Sequence, residues 1–191
     1  MKSYILKDKT IWLSENHIEY NGTKLIRRNI YDWHYYLWYV NGSGSAELKF
    51  KSPEGEIDIS LNVNSFIFTS KASNNAIQQI EELMNKVLDN NIVQNFLIYA
   101  ANKIKNEGKF KIAGVRFYND KISCGLLFPL EVSYKNASIT TSRFETTRSN
   151  KTGVYLNDGA NDKETKISSH LPGTDIQKLN ILVQYLPQFL N

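Results

Sequence analysis

Cys124 is the single cysteine of the chain, and a nucleophilic thiol needs an activating base and an exposed, electropositive setting. Its place beside Ile122, on the apolar register of a short strand, makes it a core residue instead. The three histidines, His17, His34 and His170, stand far apart, and no His-x-x-x-His or Cys-x-x-Cys spacing accompanies them. A dedicated zinc or other metal site is therefore not expected. Asn41-Gly42-Ser43-Gly44-Ser45 is glycine-rich, but strands flank it on both sides, so no helix N-terminus faces a phosphate and the segment reads as a turn. Glu54, Glu56 and Asp58 alternate along a strand and line one solvated face, which assigns them no acid–base role. No catalytic residues, no cofactor and no small-molecule substrate follow from these residues, and the chain is not expected to be an enzyme.

Two segments have chemistry suited to binding. Arg27-Arg28 leads into Trp33-His34-Tyr35-Tyr36-Leu37-Trp38-Tyr39-Val40. On one strand, Trp33, Tyr35, Leu37 and Tyr39 share one face while His34, Tyr36, Trp38 and Val40 share the other. Both faces are aromatic, so the second face either packs inside the molecule or meets a partner. Arg27, Arg28, His34, Tyr36 and Trp38 are the candidate partner-binding residues. The alternative is an anion-binding stretch made of Lys103, Lys105, Lys109, Lys111 and Arg116, broken by Glu107. Residues 1–88 balance ten Lys/Arg against ten Asp/Glu, whereas residues 89–191 hold thirteen against nine. The basic excess sits in the second part, where nucleic acid or an anionic membrane surface is the rival partner to another protein.

The elements positioning these residues come from periodicity. Ile11 and Leu13, then His17 to Tyr20, form short strands closed by the hairpin signal Asn21-Gly22. Ile30 to Val40 and Ala46, Leu48 and Phe50 follow as strands. After Pro53-Glu54-Gly55, the alternation of Ile57, Ile59, Leu61 and Val63 is the cleanest period-two run in the chain. The period then changes: Ile77, Ile80, Met84, Val87 and Leu88 predict an amphipathic helix over 75–88, with Ser73 or Asn74 as its cap. A second helix runs from Ile92 through Ile104 and stops near Gly108. Beyond it Phe110 and Ile112 alternate, Ala113-Gly114 suggests a bulge, and Val115 and Phe117 resume the apolar face. Short strands at Ile122, Val132 and Ile139 precede a polar stretch from Ser142 to Thr152. Gly153 to Leu156 and Thr165 to Ser168 come next, and a last helix begins near Thr174 or Asp175 and meets Pro187.

A chain of 191 residues holds one large domain or two small ones. At 41% hydrophobic and 12% aromatic residues it can bury a core. One cysteine excludes an intramolecular disulfide and fits a reducing cytoplasm. The N-terminal apolar stretch is too short for a signal-peptide core, and no run approaches the ~18 apolar residues of a membrane span.

Ile11 to Tyr20 and Val115 to Cys124 match in their apolar positions without a gap at an offset of 104 residues, and the order of elements matches too. This predicts a duplicated module. Strands followed by one closing helix, together with Lys103-Ile104-Lys105-Asn106-Glu107-Gly108-Lys109-Phe110-Lys111-Ile112-Ala113-Gly114-Val115, Lys121-Ile122 and Leu130-Glu131-Val132, resemble bacterial tandem pleckstrin-homology-like (PH-like) proteins of unknown function. The resemblance implies an α+β chain of two tandem PH-like modules, residues 1–88 and 108–191, joined by a connecting helix over 89–107. Each module would be a bent antiparallel sheet or open barrel closed by a C-terminal helix. The expectation is a cytoplasmic, non-catalytic binding or adaptor protein, of which a toxin-neutralising immunity protein is one form.

Overall fold

Alternating apolar side chains build the first sheet. β1 (Lys2–Leu6), β2 (Lys9–Leu13), β3 (His17–Tyr20) and β4 (Thr23–Ile26) pair antiparallel in chain order. The register sets Tyr4 opposite Ile11 and Leu13 opposite Ile18, which in turn faces Leu25. Tyr4, Ile11, Ile18 and Leu25 have no exposed surface. Asn21 and Gly22 both take positive φ, +49° and +78°, the two-residue hairpin geometry their types favour. The structure is a computed structural model that describes residues 2–6, 9–40, 43–64, 71–125, 128–146, 149–169 and 171–190. Within these, the side chains of 6, 37–40, 43–44, 61–64, 71–77, 81, 143–146 and 149–152 lie outside the description.

A 3-10 turn, Arg27–Asn29, leads to a second sheet of β5 (Asp32–Val40), β6 (Ser43–Ser52) and β7 (Gly55–Asn64), again in chain order. Trp33 lies opposite Phe50, and Phe50 opposite Ile57; all three are buried. Helix α1 (Lys71–Val87) then turns Ile80, Leu83, Met84 and Val87 inward. It meets β1, where the Ile5 amide donates to Gln79 Oε1 at 2.5 Å and Lys2 pairs with Glu82. Asp89 caps helix α2 (Asn90–Glu107), its Oδ1 accepting from the amides of Asn91 and Ile92 at 3.0 and 3.1 Å. Phe96, on α2, meets the Trp33 ring edge-on at 5.3 Å.

The chain divides into two compact units, Met1–Phe96 and Leu97–Asn191. The division falls inside α2. In the second unit β8 (Phe110–Ile112), β9 (Val115–Phe117), β10 (Lys121–Cys124) and β11 (Leu130–Ser133) form a four-stranded antiparallel sheet in chain order. A 3-10 turn, Tyr134–Asn136, precedes a three-stranded sheet of β12 (Ala137–Thr146), β13 (Ser149–Asp158) and β14 (Lys163–Ser168). Helix α3 (Gly173–Tyr185) follows, and Pro187 sits in the closing 3-10 turn Leu186–Phe189.

The order of four strands, 3-10 turn, three strands and helix thus occurs in both units. Single hydrogen bonds recur with it. The Ser14 amide donates to His17 O at 2.9 Å, and 104 residues later the Tyr118 amide donates to Lys121 O at 2.8 Å. Among the described residues the fold is mixed α+β, with four open antiparallel sheets and three α-helices.

Four readings of the sequence change. Residues 2–6, unassigned from the sequence, form β1. Ala113-Gly114 is no bulge: both residues take positive φ, +50° and +83°, and they close a two-residue hairpin in which Ile112 faces Val115. The polar stretch 142–152 falls largely within the β12–β13 hairpin, its Thr and Ser being compatible with strand. Ser73 and Asn74 lie inside α1, which begins at Lys71, and are not its cap. The turn expected at Asn41-Gly42 and the side chain of His170 lie outside the described residues.

Left-handed geometry costs a residue with a Cβ roughly 1–2 kcal/mol, and Asn tolerates it better than Ala. Ala113→Asn is therefore expected to stabilise the protein by about 0.5–1 kcal/mol in urea denaturation, with an unchanged dependence on urea concentration.

Candidate functional site

A cleft of about 860 Å³ opens in the first unit where three pieces of backbone converge. Glu15, Asn16 and His17 come from the β2–β3 turn, Lys24, Ile26, Arg27 and Arg28 from β4 and the 3-10 turn, and Asp89 and Asn91 from the start of α2. Arg27 ties these pieces together. Its Nη1 donates to Glu15 O at 3.2 Å and reaches Ser14 O at 3.5 Å, while Nη2 donates to Lys86 O at 2.6 Å and lies 3.6 Å from the Asp89 carboxylate. The Arg27 amide adds a bond to Asn16 O at 2.9 Å. The side chain is only 18% exposed. A planar guanidinium with several fixed donors suits this task in a way that an ammonium group does not.

The same attachment exists in the second unit with different chemistry. Tyr134 opens its 3-10 turn as Arg27 opens the first, and its hydroxyl donates to Tyr118 O at 2.7 Å. Tyr118 occupies the place of Ser14 at the 104-residue offset, so both side chains reach the corresponding carbonyl. Burial pushes the Tyr134 phenol well above the ordinary tyrosine range and keeps it a donor.

The cleft's other basic side chains differ in their surroundings. Arg28 and Lys24 are exposed, and among the described residues neither makes an ion pair. His17 is oriented by Ser14, whose Oγ lies 2.7 Å from Nδ1, and its Nε2 stands 3.9 Å from Glu19. Within the cleft Asp89 is engaged by Arg27, and among the described residues Arg28 and Lys24 make no ion pair, although Glu15 also belongs to the lining.

His34 and Tyr36, half-buried, share the β5 face opposite Trp33 and are separate in this fold from the cleft arginines. That face continues as a charge ladder. His34 Nε2 lies 3.8 Å from Glu47, Lys49 pairs with Asp58 at 2.8 Å, and Lys51 with Glu56 at 3.6 Å. The hydrogen bond to Asp58 raises the Lys49 ammonium above its usual range. Hydrogen bonds from Ser52 and Asn29 hold the Glu54 carboxyl low. The Trp38 side chain lies outside the described residues. Of the basic stretch, Lys103 pairs with Glu107 at 2.5 Å and Lys105 is exposed on α2. Lys111 and Arg116 face each other across β8 and β9.

Cys124 is 3% exposed, and desolvation pushes its thiol above the usual range. Among the described residues no three His, Cys, Asp or Glu side chains could hold a metal ion, and no helix is long and apolar enough to cross a membrane. Sequence reasoning gave no part to Glu15, His17, Lys24 and Asp89, which become neighbours only when α1 closes over the sheet. It also passed over Phe128, 94% exposed, although the apolar run Gly125-Leu126-Leu127-Phe128-Pro129 was a readable signal. Comparison with family models, with curated proteins and with solved structures returns no match to this chain.

Arg27→Ala removes a forked donor set from carbonyls that water can partly reach, so a loss of about 1–2 kcal/mol is expected, with Arg27→Lys restoring less than half. Arg28→Ala should stay within about 0.5 kcal/mol in the same denaturation experiment. The Cys124 thiol should resist alkylation at mildly alkaline pH in the native protein and react at the normal rate after unfolding, as mass spectrometry of timed samples will show.

Proposed function

We propose that this protein is a non-catalytic binding or adaptor protein of two tandem PH-like modules that holds an acidic segment of another protein in the cleft of its first unit. The recurrence of four strands, 3-10 turn, three strands and helix supports the modular reading. One observation carries the functional one: Arg28 and Lys24 project into a preformed cleft without ion-pair partners among the described residues, beside an Arg27 already committed to the backbone. Exposed cations with unspent hydrogen-bonding capacity attract carboxylates at long range and bind them at short range. The Ser14 hydroxyl, 2.7 Å from His17 Nδ1, also accepts from the Asn16 and His17 amides, so it serves the β2–β3 turn, and His17 is held between Ser14 and Glu19. A toxin-neutralising immunity protein in a cytoplasm is one form such an adaptor takes.

Capture of partners from the native host by the full-length chain tests the reading, comparing wild type with a Lys24→Glu, Arg28→Glu double variant of equal thermal stability. The principal partner should be lost at least about tenfold in the variant and should weaken as salt rises. Equal recovery by both proteins excludes the cleft. Loss only in a Tyr36→Ala variant would move the contact to the β5 face.

A further inference from the structure

The outward face of the first four-stranded sheet holds a pair of side chains that the inward packing does not use. Trp12 is 42% exposed and Ile5 55%. The register sets Ser3 opposite Trp12 and Ile5 opposite Thr10, so Ile5 and Trp12 are diagonal neighbours on the face away from buried Tyr4 and Ile11. Diagonal neighbours lie about 7–8 Å apart, within reach of an indole ring. The two form one apolar patch on a side of the meander that is ordinarily polar.

The same register joins the patch to the cleft. Trp12 faces Glu19 and Glu19 faces Lys24, which gives an outward row of Ser3, Trp12, Glu19 and Lys24 across the four strands. Lys24 also lines the cleft, and so does His17, two residues from Glu19 on the same strand face. Neighbouring strands stand about 4.8 Å apart, so the indole emerges roughly 10 Å from the Lys24 stem. The lysines beside the patch are engaged elsewhere: Lys2 pairs with Glu82, and Lys9 Nζ donates to Ser60 O at 2.7 Å. Among the described residues, positive charge without an ion-pair partner therefore stands at the Lys24 and Arg28 end of the row. The second unit does not repeat the arrangement. Its row is Lys111, Arg116, Ser123 and Glu131, with Arg116 at the place of Trp12 and Glu131 at the place of Lys24.

A ligand that spans the row of the first unit needs negative charge at one end and an apolar group at the other. It needs no charge between them, because Glu19 repels an anion placed there. A peptide meets this condition: at about 3.3 Å per residue, three residues cover the distance. A nucleic acid does not, since it carries a phosphate at every nucleotide and one would fall against Glu19. We infer that the acidic segment held in the cleft carries an aromatic or aliphatic side chain about three residues from its carboxylates, and that this side chain packs on Trp12 and Ile5. The inference rests on the proposed role of the cleft and adds the apolar half of its specificity. Lys24 and Arg28 attract the segment over a distance that salt shortens, and the indole adds contact area that salt does not weaken.

Selection of random phage-displayed dodecapeptides on the immobilised full-length chain is the test. Enriched sequences should share two carboxylates, with Phe, Trp, Leu or Ile about three residues away and no charge between. The Lys24→Glu, Arg28→Glu double variant should enrich none of them. For a synthetic copy of the most enriched peptide, fluorescence polarisation should show Trp12→Ala binding about tenfold more weakly, the worth of partly uncovering one apolar side chain. Ile5→Ser should lose about threefold and Trp12→Phe less than that. Trp12 and Ile5 are exposed, so the variants should unfold at the wild-type temperature. Enrichment of acidic sequences without the spaced apolar residue, or equal affinity of wild type and Trp12→Ala, overturns the inference and leaves the cleft's role standing. Enrichment of no acidic sequence overturns both. Tighter binding of a single-stranded oligonucleotide than of the selected peptide would give the surface to nucleic acid, and a dimer abolished by Trp12→Ala would give the patch to a second copy; either result also overturns the inference.

Discussion

Inward burial of alternate apolar side chains in the four-stranded sheets is the constraint on which the rest of this molecule depends. In each unit a meander of short strands sends every second side chain inward, Ile11, Ile18 and Leu25 in the first and Val115, Ile122 and Val132 in the second, and all are essentially inaccessible. Because strand side chains alternate strictly, a slip of one residue would put each of these groups into water and bring Trp12, Glu19 or Arg116 into the core. Register is therefore tightly held, and with it the face on which every outward side chain emerges. The placement of Lys24 at the cleft and of Lys111 beside Arg116 are consequences of that inward packing.

A second requirement is that the meander stay attached to the 3-10 turn that follows it. Both units meet it at corresponding carbonyls, Ser14 O in the first and Tyr118 O in the second, but with different donors. Arg27 serves several carbonyls and Asp89 at once and so extends the attachment to the end of α1. Tyr134 reaches its carbonyl through the hydroxyl alone. The substitution has a functional side: a guanidinium brings a second charge beside the exposed Arg28, whereas in the second unit a neutral phenol stands beside the exposed Lys135. The two units share a backbone plan and differ in the chemistry mounted on it, as expected when sites are built on a common fold.

Much of the fold was legible because its signals are local. Alternation at Ile57 and Ile59, the Asn21-Gly22 hairpin and the left-handed stop at Gly108, where φ is +77°, each follow from a few adjacent residues. The misreadings share a cause. Ala113 adopts a conformation its side chain does not favour, so the hairpin there is imposed by pairing Ile112 with Val115. β1 offers little alternation of its own and is held by β2 on one side and Gln79 of α1 on the other. Less of the candidate site could be read. Arg27 and Arg28 were identifiable as an unusual pair, but nothing adjacent in the chain distinguishes the arginine that braces the backbone from the one that faces water.

The sequence by itself determined the α+β class, the main runs of strand and helix, the repeated apolar spacing and the inward position of Cys124. Each depends on side-chain periodicity and the conformational limits of single residues, which operate over a few positions of chain. Only the tertiary structure decided that residues as distant as Glu15 and Asn91 line one cleft, that His34 and Tyr36 lie apart from it, and that Trp12 and Lys24 emerge in one row across the first sheet. Those relations arise when separate segments bury their apolar faces against one another, and the free energy of that packing is indifferent to how far apart the segments lie in the chain.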